Sequence, residues 1–141
     1  MTELQAALGV SQMGRLDDFV NRRHGLARRY DELLADLPVV TPWQHPDSYS
    51  GLHLYVIRLK LTEIRASHRE VFESLREQGV GVNLHYIPVH TQPFYEAMGF
   101  APDDFPESMR YYKEAISIPM FHGLTFEQQD AVVAALKAAL T

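Results

Sequence analysis

Leu52-His53-Leu54-Tyr55-Val56-Ile57-Arg58-Leu59-Lys60-Leu61 is the stretch on which the fold turns. Its apolar and aromatic residues alternate as in a strand. Tyr55, Ile57, Leu59 and Leu61 share one face, and Leu54, Val56, Arg58 and Lys60 share the other. Just before it, residues 42–51 are dense in turn formers and read as a loop, and Val39-Val40-Thr41 is a short strand candidate. After it, residues 67–78 carry Val71, Phe72 and Leu75 on one side of a helix that Gly79 closes. Residues 80–84 read as another strand and residues 85–93 as a loop. A short helix at 94–98 ends at Gly99, and Pro106 suits the first turn of a helix running to about residue 114. Ile116-Ser117-Ile118 is a brief strand stopped by Pro119. Residues 125–140 form an amphipathic helix opened by a Thr125…Gln128 capping box.

Upstream, residues 1–37 keep a helical rhythm through Leu4, Leu8, Leu16 and Phe19, then Leu26, Tyr30, Leu33 and Leu37, until Pro38 ends it. Gly9 and Gly25 are costly inside a helix and are expected to mark kinks or close contacts. Met1 stands at the start of the periodic pattern. That reads as a segment continued from upstream, or as a frayed start in which Thr2 and Gln5 make a capping box. The apolar positions of this run exceed what one small sheet can cover, so self-association or partner binding through it is expected. Together the elements predict an α+β fold: a small, mostly antiparallel sheet with helices on one face, preceded by a long helix. The expected division is a helix over 1–37 and a small domain over 38–141.

A chain of 141 residues, 46% hydrophobic and 22% charged, suits one compact core. No apolar run approaches a membrane span, and the N-terminus lacks the pattern of a signal peptide. Without cysteine there is neither a disulfide framework nor a thiolate metal site, and a cytoplasmic location is the default expectation. The net charge of −5 argues against nucleic-acid binding. The one basic run, Arg22-Arg23-His24 with Arg28-Arg29, is expected to be a solvated or interfacial helix face.

The densest polar cluster is Gly81-Val82-Asn83-Leu84-His85-Tyr86-Ile87-Pro88-Val89-His90-Thr91-Gln92. If Val82 and Leu84 face the core, Asn83 and His85 point together to the opposite side. Three readings stay open: a ligand-facing loop, ordinary loop packing, or a metal site, the last short of a third ligand. No glycine-rich phosphate loop is present, since Gly79-Val80-Gly81 follows a helix instead of preceding one. Ser67 and Ser117 lack a nucleophile elbow. Asp103, Asp104 and Glu107 read as helix-start acids. None of the three lysines, Lys60, Lys113 and Lys137, has the desolvated setting that Schiff-base chemistry needs.

Several of these stretches, in order, resemble the DegT-type nucleotide-sugar aminotransferases. They are residues 1–12, Leu16-Asp17-Asp18-Phe19-Val20-Asn21-Arg22-Arg23 with Ala27-Arg28-Arg29-Tyr30, and His53-Leu54-Tyr55-Val56-Ile57-Arg58. The stretch from Gly79 to His90, with Val82-Asn83-Leu84-His85-Tyr86-Ile87-Pro88-Val89-His90, and Ser117-Ile118-Pro119-Met120 followed by Leu124-Thr125 and Gln128-Gln129 complete the set. The histidine stretch is most like the branch that aminates a UDP-linked 4-keto amino sugar toward pseudaminic acid. The resemblance implies the C-terminal domain of a type I aminotransferase fold and a pyridoxal phosphate cofactor. It further implies a nucleotide-sugar substrate, glutamate as amino donor, and a homodimer whose interface the first helix helps build. It places the Schiff-base lysine, the aspartate for the pyridine nitrogen and the ring-stacking aromatic upstream, with a phosphate-binding asparagine just before Met1. No catalytic residue is then expected here. Asn83, His85, Tyr86 and His90 are expected to face substrate, and replacing either histidine by alanine should barely alter stability. The competing expectations are a free-standing, non-catalytic binding or assembly module derived from the same domain, and a small regulatory α+β domain using the histidine loop as an effector site.

Overall fold

The computed structural model describes residues 1–141. Its helices and strands run α1 (Glu3–Met13), α2 (Leu16–Leu34), β1 (Val39–Val40), β2 (Tyr55–Leu59) and α3 (His68–Glu77), then α4 (Pro93–Glu96), α5 (Pro106–Glu114), β3 (Ala115–Ile118) and α6 (Phe126–Ala139). Two short 3-10 turns, Val89–Thr91 and Pro102–Asp104, flank α4. The three strands form one antiparallel sheet in the order β1-β2-β3. Tyr55 pairs with Ile118, Ile57 with Ile116, and Val39 with Leu59. The α+β architecture anticipated from the periodicity is the one found.

The central strand buries the face the alternation assigns, with Tyr55, Ile57 and Leu59 each about 1% exposed or less. It is shorter than the pattern, because Leu52 takes a positive φ of 43° that breaks the extended run. Leu26, Tyr30 and Leu34 of α2, Val71 and Leu75 of α3, and Val132 and Leu136 of α6 complete one core with that face. Tyr30 and Tyr55 pack ring to ring at 5.0 Å. The Tyr30 hydroxyl donates to the Pro119 carbonyl at 3.0 Å, and that of Tyr55 to Asp31 at 2.5 Å. Burial drives both phenols well above the ordinary tyrosine range, reinforced at Tyr55 by the Asp31 carboxylate.

The N-terminal helical run breaks at Gly14-Arg15; Gly9 and Gly25 lie inside unbroken helices. Gly14 is a poor helix former, and the acidic pair Asp17 and Asp18 restarts the next helix by complementing its dipole. The two pieces have different surroundings. α2 buries Val20, Leu26, Ala27, Tyr30 and Leu34, with Leu34 and not Leu33 in the core. α1, opened by the Thr2…Gln5 capping box, buries nothing and leaves Leu4, Leu8, Val10 and Met13 largely in solvent.

The basic run is less solvated than its charge suggests. Arg22 donates to the Leu124 carbonyl, Arg23 to that of Gly51, and Arg29 pairs with Asp130 at 2.7 Å while lying over the Phe126 ring. These guanidiniums tie α2 to α6 and to the loop before β2, using planar donor geometry that lysine lacks.

The expected strand over 80–84 does not form. Its one ladder contact is a bridge in which Asn83 and Ser117 exchange backbone hydrogen bonds of 3.1 and 2.9 Å. Asn83 Oδ1 accepts from the Leu84 N–H at 2.8 Å, and Val82 N–H turns back to Val80. Those local bonds divert the donors a longer ladder would need. Val80 and Val82 are nevertheless buried, as the alternation requires.

Candidate functional site

Ser117 is the polar residue of an otherwise apolar β3, and the site assembles around it. Its register partner is Val56, so its side chain lies on the sheet face opposite the α2, α3 and α6 layer. On that face the chain leaving Asn83 passes over β3, and His85 Nδ1 comes 2.7 Å from Ser117 Oγ. The ring of Tyr86 meets the His85 ring edge-on, at 4.7 Å and 85°. The peptide bond between the two is cis. Tyr86 is 74% exposed, and Ile87 beside it is 52% exposed. Asn83, His85 and Tyr86 are thus brought together at the edge of the sheet, though Asn83 Oδ1 already accepts from the Leu84 N–H.

His90 goes elsewhere. The Val89–Thr91 turn, stapled by Thr91 Oγ1 donating to the Pro88 carbonyl at 2.8 Å, swings it inward. Its ring is 9% exposed, packs on Phe105 at 4.8 Å, and sets Nε2 at a long 3.4 Å from the Pro102 carbonyl. Together with Val89, Tyr95, Phe100, Phe105 and Ser108 it lines a pocket of about 380 Å³. Neither histidine occupies the open surface setting in which its removal is expected to cost little stability. One packs among rings, and the other is the bonding partner of a buried hydroxyl.

Two features of the site escape sequence reasoning. Ser117 offers only its polarity between Ile116 and Ile118 as a signal, and its contact with His85 spans 32 positions. The aromatic cluster of Phe94, Tyr95, Phe100 and Phe105 was visible only as composition. The two helix-start acids with structural roles there behave as caps or local pairs: Asp104 accepts from the Ala101 N–H at 2.8 Å, and Glu107 pairs with Arg110.

No three His, Asp or Glu side chains converge in a way that could hold a metal ion. The lysines are all at the surface. Lys60 stands 3.6 Å from Glu63, while Lys113 and Lys137 are exposed on α5 and α6. No helix is long and apolar enough to cross a membrane.

Comparison with known proteins supplies the context for this geometry. Residues 1–137 match the model of the DegT/DnrJ/EryC1/StrS aminotransferase family. The chain is 35% identical over 140 residues to the spore coat polysaccharide biosynthesis protein SpsC of Bacillus subtilis (strain 168), covering 97% of this chain and 36% of that protein. Spr1654 of Streptococcus pneumoniae, described as a sugar aminotransferase and solved in a PLP form, superposes with a TM-score of 0.88 at 26% identity. The match covers 100% of this chain and 37% of that one. Helicobacter pylori PseC, an aminotransferase involved in the biosynthesis of pseudoaminic acid, superposes at 0.87 with 25% identity, over 99% of this chain and 38% of that one. The chain therefore spans a little over a third of the length of the relatives it matches.

Proposed function

The chain belongs to the DegT/DnrJ/EryC1/StrS aminotransferase family, and from that premise we propose that it is the C-terminal domain of an enzyme transferring an amino group from glutamate to a 4-keto nucleotide sugar. The observation that carries this reading is the family match over residues 1–137, nearly the whole chain. Surface-polysaccharide or nonulosonic-acid biosynthesis is the proposed setting, with the pseudaminic-acid branch as its narrowest form. The relatives' names range from spore coat polysaccharide to pseudoaminic acid biosynthesis, which supports a sugar substrate class.

Pyridoxal phosphate is the cofactor this family membership implies, and a desolvated lysine would be needed to hold it covalently. The residues present do not fit that requirement. Lys60 stands at the surface 3.6 Å from Glu63, and Lys113 and Lys137 are exposed to water, so none of the three is desolvated. The lysine is accordingly assigned to the part of the protein outside residues 1–141, and no chemical step is assigned to this chain. In the proposal this domain binds: His85, Tyr86 and Asn83 border the sugar-nucleotide cleft, and His90 walls a separate aromatic pocket. α1 supplies apolar surface for a homodimer, and the enzyme works in the cytoplasm.

The test is amino transfer from labelled glutamate to a UDP-linked 4-keto sugar, measured for the full-length protein and for the 141-residue chain. The chain alone should form no borohydride-trapped pyridoxal adduct and show no turnover, while the full-length protein turns over. His85→Ala and Tyr86→Ala in the full-length protein should raise KM for the sugar nucleotide several-fold, each lost hydrogen bond costing about 0.5–1.5 kcal/mol. Unchanged KM in both variants would remove the loop from the substrate site. Absence of turnover in the full-length protein would favour a non-catalytic module that keeps the fold.

A further inference from the structure

We propose that Ser117 is a positioning residue that fixes the His85 imidazole as its Nε2–H tautomer, so that a neutral N–H donor is presented to an acceptor oxygen of the sugar nucleotide. The presentation to substrate rests on the reading above; the tautomer assignment rests on geometry alone.

Ser117 is 4% exposed. Its backbone N–H and carbonyl are both engaged with Asn83, at 2.9 and 3.1 Å. Its hydroxyl has one hydrogen-bond partner, His85 Nδ1 at 2.7 Å. The pair has two neutral arrangements. In one the hydroxyl donates to an unprotonated Nδ1, which leaves the ring proton on Nε2. In the other Nδ1–H donates to Oγ, and the hydroxyl hydrogen is left buried with nothing to receive it. Native interiors avoid that outcome, because an unpaired buried donor costs more than a made bond gains. The first arrangement satisfies both groups and turns the remaining ring donor away from the sheet.

The surroundings hold the ring in that pose. Asn83 pins the chain to β3 two residues before His85, and the Tyr86 ring abuts the imidazole edge-on. A strand position needing only apolar fill, between Ile116 and Ile118 and opposite Val56, would be served by alanine or valine. A hydroxyl there is explained by the imidazole it meets.

Long-range proton–nitrogen correlation spectra of the uniformly nitrogen-15-labelled chain test this, recorded well above the ordinary histidine titration range. His85→Gln identifies the resonance. Wild type should show His85 as the Nε2–H form. Ser117→Ala should shift the tautomer ratio toward Nδ1–H by roughly three- to tenfold, the effect of one net hydrogen bond. Ser117→Thr, which keeps the hydroxyl on a residue suited to strands, should restore the wild-type pattern. An Nδ1–H ring in wild type, or an unchanged ratio in Ser117→Ala, would overturn the proposal. The spectra need no substrate, so their failure would leave the KM test of His85 standing. Failure of that KM test would leave the tautomer result intact.

Discussion

Replacing His90 by alanine tests whether this histidine serves the fold or the substrate. The ring is 9% exposed, so its removal takes nearly a full side chain's burial out of the cluster. Full burial of an apolar side chain of that size contributes about 1.5–3 kcal/mol, and a polar imidazole falls at the low end of that range. The contact with Phe105 at 4.8 Å adds about 0.5–1.5 kcal/mol if it behaves like other ring pairs. The bond to the Pro102 carbonyl, at 3.4 Å, is at the edge of useful geometry and adds little. The adjoining pocket lets neighbours relax into the space, so the cost should fall near 2–3 kcal/mol. For a chain of this length that corresponds to a fall in Tm of roughly 6–12 °C. Tyr86→Ala is the control. At 74% exposure its loss should stay within about 0.5 kcal/mol, a shift of roughly 2 °C. Thermal melts of both variants beside wild type read the difference directly. A His90→Ala protein melting within about 2 °C of wild type would refute the packing argument and return His90 to the substrate-facing group.

Three further outcomes follow from other parts of the molecule. Leu4 and Leu8 are 84% and 63% exposed on α1, and if association buries them, Leu4→Glu/Leu8→Glu should weaken it by about 100-fold or more by sedimentation at high micromolar concentration; a strictly monomeric wild type would count against an interface there. Gln129 is fully buried, donating to the Leu26 carbonyl at 2.8 Å and accepting from Arg29 at 3.2 Å, so Gln129→Ala should cost about 2–3 kcal/mol in denaturant melts, and a loss below about 0.5 kcal/mol would show the α2–α6 contact to be slack. Bonds from the Ser67 N–H and hydroxyl hold the Glu70 carboxyl below its ordinary range, so the ionised form favours folding; its contribution is present above the unfolded carboxylate pKa and is lost as pH falls through the folded one. Melts taken from about pH 6 down to about pH 3 should then decline less steeply for Glu70→Ala than for wild type, and parallel curves would dismiss the link.

What could be read from the sequence was what neighbours along the chain decide. The capping boxes at Thr2…Gln5 and Thr125…Gln128 form as spaced, because both partners lie within one helical turn. The alternation in residues 55–59 buries the face it names. The span over 80–84 failed on the same local scale: Asn83 bonds to its own neighbour, an option that residue alternation does not register. The break at Gly14 was misplaced for a related reason, since three glycines look alike until the acidic restart at Asp17 and Asp18 is weighed. The basic run's partners are hidden from a local reading because the carbonyls and rings that receive it come from residues 51, 124 and 126.

The site itself divides along that line. His85 and His90 sit five residues apart around Pro88 and look equivalent in a list of polar side chains. The chain after Asn83 carries His85 onto β3, where its ring meets a serine 32 positions away. The 3-10 turn after Pro88 then delivers His90 into an aromatic cluster drawn from residues 95–105. Neither destination follows from the spacing. Both follow from two long-range registers, β2 on β3 and Asn83 on Ser117, which fix the sheet edge from which the loop departs. If those registers set the chemistry, shifting Asn83 should disturb His85 and spare His90. Asn83→Ala, which frees the Leu84 N–H but keeps the backbone bridge, should leave the ring contact of His90 with Phe105 unchanged while broadening the His85 imidazole signals. Equal disturbance of both histidines would mean that the loop moves as one body and that the division drawn here is wrong.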